Sequence, residues 1–370
     1  NFLNGLQGRI AGATITATSG VPGASSTIVL RGFNSMSLNN QPLFVVDGII
    51  IENDAINAAE TVPGAAGQNN TSNDFTNRIA DLNPNDIESV TVLKGPEATV
   101  LYGSSASNGA IIITTKKAKI TAGKKLNVNY DNSFRFQSLG NVPSIYTGFQ
   151  QGANGIASTG TFSAFGPVMT ADIPLYDNIG NFFRTGTAQT HNLGMDFGVG
   201  ESKFRASGSF FDQKGVVPNN DFRRFNARIS NTTKLLKGKL EISPSIAYSQ
   251  STNNKVLRSG GGFLLGLLIW PQTNDIRKFE NDQLGDKLDL FEGTSTNGEY
   301  DNPLWNVNNN IGKDENTRIT SSLGINLNPV KWLSLSGRFG YDTYDQNGFL
   351  FFHPQSKHSM IHLLKRKSWK

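Results

Sequence analysis

A strict alternation of apolar and polar residues, repeated seven times between residues 121 and 352, most constrains what this chain can fold into. Val128, Tyr130, Phe134 and Phe136 alternate with Asn127, Asn129, Asp131 and Arg135. The same pattern recurs over 192–199, 203–210, 225–230, 240–249, 319–327 and 333–342. Side chains on a strand point to opposite faces with period two, so each segment reads as a strand with one apolar and one polar face. Such strands suit a half-buried antiparallel sheet, and equally a barrel with lipid outside and a polar interior.

The connections separate the two. Gly200-Glu201-Ser202, Leu236-Lys237-Gly238 and Asn328-Pro329-Val330-Lys331 are short turns, whereas 139–186 and 251–316 are long. Short turns at one end and long loops at the other is the layout of an outer-membrane barrel. A sandwich more often uses uniformly short links. Phe136, Phe222, Tyr248 and Trp332, near strand ends, suit interfacial aromatic girdles. Seven strands cannot close a bacterial barrel.

Composition removes other classes. With no Cys, disulfides, thiol catalysis and zinc-finger spacings are excluded. No run reaches the roughly 18 apolar residues of a membrane helix. The net charge of +5 invites a nucleic-acid reading, but residues 1–120 hold seven Lys/Arg against nine Asp/Glu, and 353–370 hold five against none. A nucleic-acid surface spreads basic residues over a face, so nucleic acid is not an expected partner. Residues 353–370 also carry three of the four His and no alternation, and read as an atypical basic tail foreign to the fold. The chain opens at Asn1 without Met, and both ends read as incomplete.

Residues 1–120 differ in texture. Thr27 to Leu30, Pro42 to Val46, Ile49 to Ile51, Ser89 to Leu93 and Ala110 to Thr115 read as short strands, and Asp47-Gly48 as a hairpin turn. Asn53 to Asn77 reads as a loop. Asn83 before Pro84 predicts one capped helical turn. Gly95-Pro96-Glu97 predicts a helix start, and Gly103 its end.

The strings LQGRIAG (6–12), VLRG (29–32), QPLFVVDG (41–48) and LNPNDIESVTVLKGPEATVLYGSSASNGAIIITTKK (82–117) resemble the plug domain of TonB-dependent outer-membrane transporters, in the SusC/RagA branch found in Bacteroidetes. NFFRTG (181–186) and NPLWN (302–306) resemble SusC-type barrel segments. The resemblance runs from about residue 6 to 352. It implies a mainly β protein: a small mixed α/β plug over 1–120 with its start missing, then an incomplete transmembrane antiparallel β-barrel over 121–352. About 22 strands would make the full barrel. At the spacing seen here they would need roughly 700 residues, so a fragment is expected.

Function is expected accordingly: TonB-dependent active import of an oligosaccharide or peptide across the outer membrane. The implied partners are a SusD-like surface lipoprotein, the TonB complex, the glycan or peptide ligand and outer-membrane lipid. A TonB box is not recognised in the chain. The motif residues Arg31, Gly32, Asp47, Gly48, Asp86, Glu88, Lys94, Gly95, Tyr102 and Gly103 read as structural. Their glycines serve turns and helix ends, and Arg31, Asp86, Glu88 and Lys94 are candidates for ion pairs within the plug or against a barrel wall.

No cofactor, metal or catalytic residue is expected. His191 reads as a lone structural His on the polar face opposite Leu193 and Met195. His358 and His362 have helical metal spacing, but lie in the tail. Asp282, Asp286 and Asp289 lack the EF-hand pattern. Gly103 to Gly109 is a turn-rich link, not a phosphate loop. The other readings are a soluble β-rich glycan-binding protein or adhesin, a polysaccharide-degrading enzyme, and a passive porin or signalling receptor; the plug strings disfavour a plain porin.

Overall fold

In a computed structural model the described residues are 5, 7–8, 10–17, 19–32, 40–53, 76–120, 126–142, 144–257, 262–281, 283, 285–288, 290, 300–356 and the backbone of 361–369. The core of the first part assembles around β-branched residues. Strands β1 (Ala13–Ala17) and β2 (Ser26–Leu30) form an antiparallel hairpin. Strands β3 (Leu43–Val46), β4 (Ile49–Ile51), β5 (Ile87–Leu93) and β6 (Ala110–Thr115) form a four-stranded sheet in the order β4-β3-β6-β5. The β3/β6 pair is parallel; the others are antiparallel. Ile28, Leu30, Phe44, Ile79, Ile111 and Ile113 close the core between hairpin and sheet.

Local signals explain the turns. Asp47 (φ +51°) and Gly48 (φ +87°) both take the left-handed conformation, which gives a two-residue hairpin the twist of its strands. Asn83 caps a 3-10 turn over Pro84–Asp86 by accepting from the Asn85 N–H at 3.1 Å. The helix Pro96–Tyr102 begins at its proline and stops at Gly103.

The second part is one eight-stranded antiparallel sheet. Its strands are β7 (Leu126–Gln137), β10 (Gly186–Val199), β11 (Ser202–Lys214), β12 (Asp221–Leu235), β13 (Leu240–Lys255), β16 (Ile311–Val330), β17 (Leu333–Phe351) and β18 (Ile361–Trp369). The short pairs β8 (Gly152–Ala153) with β9 (Ile156–Ala157), and β14 (Glu280–Asn281) with β15 (Asp286–Lys287), lie in the long connections. Every neighbour in the large sheet is next in chain order among its strands. The turns joining β10 to β11, β12 to β13 and β16 to β17 fall at one end; the long connections 138–185 and 256–310, with the six-residue link 215–220, fall at the other. Those connections carry the helices Asn178–Phe182, Phe263–Ile269 and Pro303–Asn309.

Register shows how the wall is made. One row across it reads Asp131, Asn192, Ser209, Asn226, Ser249, Arg318 and Tyr344; the next, on the opposite face, reads Tyr130, Leu193, Gly208, Ala227, Tyr248, Ile319 and Thr343. The polar row faces the first part of the chain, with Asn192, Ser209, Asn226, Ser249 and Arg318 buried. The other face leaves Leu193, Phe210, Phe225, Ile229, Ile246 and Phe339 exposed. That inversion, polar inside and apolar outside, is the reverse of a soluble protein and fits a lipid-facing barrel wall. No described helix is long and apolar enough to cross a membrane.

Three expectations need correction. The sheet has eight strands, not seven, because Ile361–Trp369 pairs antiparallel with β17. A free strand edge offers unpaired N–H and C=O groups to any extended segment, so alternation is not required for pairing. His191 shares the parity of Leu193 and Met195 and so lies on their face, where its Nδ1 is 2.7 Å from the Tyr130 hydroxyl. Phe222 is buried against the interior at Gly23 and does not join a lipid-facing girdle; Phe136 and Trp332 are exposed. Most of the loop read over 53–77, together with Asp282, Asp289 and His358, lies outside the described residues.

Candidate functional site: the plug–wall interface

Two chain regions remote in sequence meet along the polar wall, and a single 3-10 turn, Arg78–Asp81, concentrates the contact. Ile79, fully buried in the plug core, pins the turn. Its neighbours are thereby aimed at the wall. The turn has carbonyls with no helical partner, and such groups need donors. The wall supplies them. Arg224 donates to the Ala80 carbonyl, Asn226 Nδ2 to the Asp81 carbonyl at 2.6 Å, and Arg318 Nη1 to the Arg78 carbonyl at 3.0 Å.

Charge is handled in the same place. Arg318 grips Asp342 with two hydrogen bonds, Nε–Oδ1 at 2.8 Å and Nη2–Oδ2 at 2.5 Å. Asp81 Oδ2 accepts from Arg78 at 3.2 Å and from Asn316 at 2.9 Å, with Arg318 Nη1 at 3.7 Å. Both guanidinium groups lie 5.9 Å from the centre of the Tyr344 ring. Isolated buried charges would cost several kcal/mol each, and here pairing and carbonyl acceptors offset that cost.

Two further clasps flank the turn. Asp47 accepts from the Thr115 N–H at 2.9 Å and its hydroxyl at 2.5 Å, and pairs with Arg228 at 3.0 Å. Asp86 accepts from Asn83 at 3.1 Å and lies 3.9 Å from Arg205, which is itself held by Asp196 at 2.9 Å. Above them Asn253 donates to Thr76, and Thr76 to the Gly23 carbonyl at 2.6 Å. A Cβ on Gly23 would collide with Asn253 and Phe222, and one on Gly340 with Ile49.

Of the residues singled out in the sequence, Asp47, Gly48 and Asp86 reach the wall; the Gly48 turn lies under the Arg338 guanidinium. The rest serve the first region itself. Glu88 pairs with Lys119 at 2.7 Å, which holds its carboxyl below the usual range. Lys94 donates from Nζ to the Ala11 carbonyl, and its N–H donates to Glu97 at 2.8 Å. Backbone N–H groups of Glu97 itself and of Lys94 depress the Glu97 carboxyl. Arg31 lies over Gly95, whose φ of +136° and missing Cβ admit it. Gly32 (φ +88°) and Gly103 (φ +72°) take turns that disfavour side chains. Tyr102 packs on Ala98, Ala106 and Ala110.

Arg78, Asp81, Arg224, Arg318 and Asp342 carry the interface, and sequence reading passed over their pairing. On one strand an Arg among polar residues looks like any solvated face. No His/Cys/Asp/Glu cluster suited to a metal is present among the described residues.

Comparison with known proteins agrees with this architecture. Residues 1–110 match the family model "TonB-dependent Receptor Plug Domain". The chain is 28% identical over 313 residues to the TonB-dependent receptor SusC of Bacteroides thetaiotaomicron, covering 84% of this chain and 28% of that protein. It is 27% identical to the TonB-dependent receptor P26 of Formosa agariphila, over 98% of this chain and 34% of that one. The chain thus spans about a third or less of these relatives. Among solved structures, the RagAB peptide importer in its open-open state superposes with a TM-score of 0.70 at 19% identity, over 95% of this chain and 39% of the other, a likeness of fold. Residues 1–110 matching the plug-domain model, braced against a wall that is polar within and apolar without, make the chain similar to the SusC type of TonB-dependent receptors in sequence and to the RagAB importer in fold.

Proposed function

We propose that this chain forms the plug and the first eight wall strands of a longer receptor that imports an oligosaccharide or peptide across the outer membrane. The observation that carries the reading is the interface itself. The plug is held by hydrogen bonds and ion pairs that water can replace, rather than by a continuous apolar seam. An element held that way can be shifted and returned. Energy would come from the TonB complex pulling on the plug from the periplasm. The long connections at the far end would face outward and meet a SusD-like lipoprotein and the cargo. The open edges of the eight-stranded sheet support the reading that further strands complete the barrel, since a bilayer does not tolerate unpaired edges.

Uptake of labelled oligosaccharide and peptide mixtures by the native cell, with and without TonB, tests it. Import that needs both this gene and TonB is the expected result. Import that survives loss of TonB points to a passive pore and overturns it.

A further inference from the structure

Between the plug sheet and strands β12, β13, β16 and β17 lies a crevice of about 200 Å³. Its charged lining is one-sided: Lys116, Lys117, Arg228 and Arg338 face it against the single carboxylate of Asp47. Asp47 is spent on Arg228. Among the described residues no carboxylate pairs with Lys116, Lys117 or Arg338; the nearby Glu88 is taken by Lys119. Thr232, Ser245, Ser322 and Asn326 add polar groups to the walls. The space holds water and not an oligomer, so anything passing here needs the plug to shift.

A second crevice continues from the first and shares Asp47, Ile49, Thr115, Arg228 and Ser245 with it. It ends at Asp81 and Arg318, the anchored turn. One ion pair between plug and wall crosses the shared stretch: Asp47 to Arg228, at 3.0 Å. The carboxylate cannot swing away alone, because Thr115 holds both its oxygens. It leaves Arg228 only when the β3–β4 turn moves.

We propose that this crevice is an anion-selecting vestibule on the cargo's exit route, and that the Asp47 carboxylate occupies, in the resting plug, the place a cargo anion takes on Arg228. The inference rests on the import reading above. Withdrawal of the plug turn frees Arg228 and adds a fourth unpaired cation to the lining. A cleft lined by one sign of charge between low-dielectric walls concentrates counter-ions. The ligand chemistry is a carboxylate, sulfate or phosphate group on a short oligomer.

The test uses the full-length receptor in isolated outer membranes. These 370 residues contain no Cys; with any Cys elsewhere in the receptor replaced by Ser, Ser245→Cys introduces a defined thiol into the shared stretch. Its labelling rates with the anionic sulfonatoethyl and the cationic trimethylammonioethyl methanethiosulfonates are compared. Replacing Lys116, Lys117 and Arg338 with Gln together should lower the anionic-to-cationic rate ratio about tenfold. Asp47→Asn, a near-isosteric change that keeps the turn, should move the ratio the other way by several-fold. A ratio unmoved in Asp47→Asn, or equal in all three backgrounds, overturns the proposal. Labelling needs no transport. A receptor that shows these shifts but fails to import keeps the vestibule and sinks the import reading, and one that imports without them does the reverse.

Discussion

The plug–wall interface and the layer of long connections are both buried, and they are built around different materials. The interface is polar: Arg224, Arg318, Asn226 and Asn316 of the wall grip carbonyls and carboxylates of the plug. Its apolar contacts are few, such as Ile49 against Gly340 and Phe222 against Gly23. The loop layer is centred on a small apolar core. Phe182, Phe263, Leu267, Trp270, Ile276 and Val307 pack together, with the Phe182 and Phe263 rings stacked at 4.9 Å. At its edge a buried pair, Lys287 to Asp301 at 2.6 Å, is joined by hydrogen bonds from Asn306 and Ser356 to the same carboxylate. Apolar burial has no substitute in water, whereas a hydrogen bond exchanges with one. The contrast fits the proposed function: a lasting loop layer, and a plug that can be shifted and returned.

The largest effect is therefore expected in the loops. Phe182→Ala removes a side chain only 2% exposed from the centre of that core. It should cost about 4 kcal/mol of local stability. Hydrogen exchange would show lost protection over 178–182 and 263–276, with plug amides unchanged. Lost protection in the plug as well would mean that the two regions form one unit, and the contrast would fail.

Next comes the interface. Arg318→Met leaves Asp342 buried and uncompensated, and should loosen the plug by about 3 kcal/mol. Pairing it with Asp342→Leu should restore most of that loss, because the stranded charge goes too. Exchange rates of the Arg78–Asp81 amides report both. A double variant no better than the single would show that Arg318's bonds to the plug, and not its charge balance, hold the turn.

Gly340→Val tests the sparse apolar contact. Its Cβ would collide with Ile49 Cγ1 and Cδ1. Overpacking at one such point costs about 1–2 kcal/mol. Proteolytic nicking near the β3–β4 turn should rise modestly.

Much of the architecture could be read from residues alone, for physical reasons. A period of two states which face a residue occupies, so the wall and its polar interior were legible in Phe204 to Phe210 or Leu240 to Tyr248. The plug's turns were legible because Asp47-Gly48 and Asn83-Pro84 act locally. The interface was not, because it is a register effect. Asp81 and Asn316 are 235 residues apart, and no local rule couples them. The parity of His191 was a counting matter, and the sheet settles it on the outer face with Leu193. The eighth strand came from an edge that needed a partner, not from its own pattern.

The smallest effect returns to the loop layer and asks whether surface charge matters there. Asp275 accepts two hydrogen bonds from Arg277 Nε, at 2.9 and 3.0 Å, and one from Nη2 at 2.7 Å. The Arg277 side chain holds the Asp275 carboxyl below its usual value. A carboxyl depressed in the folded chain contributes stability above its unfolded pKa of about 3.9, and that contribution fades as the pH falls through the lower folded value. Arg277 is largely exposed, so water and salt screen the pair. Between pH 7 and 5 the protection factors, exchange corrected for its intrinsic pH dependence, should not change; below pH 4 those over 272–278 should fall by less than about fivefold. In Asp275→Asn the protection factors of the same segment should be pH-independent there. A steep loss in wild type, much beyond that range, would mean that the loop layer depends on charge as the plug does, and the distinction between the two regions would narrow to one of degree.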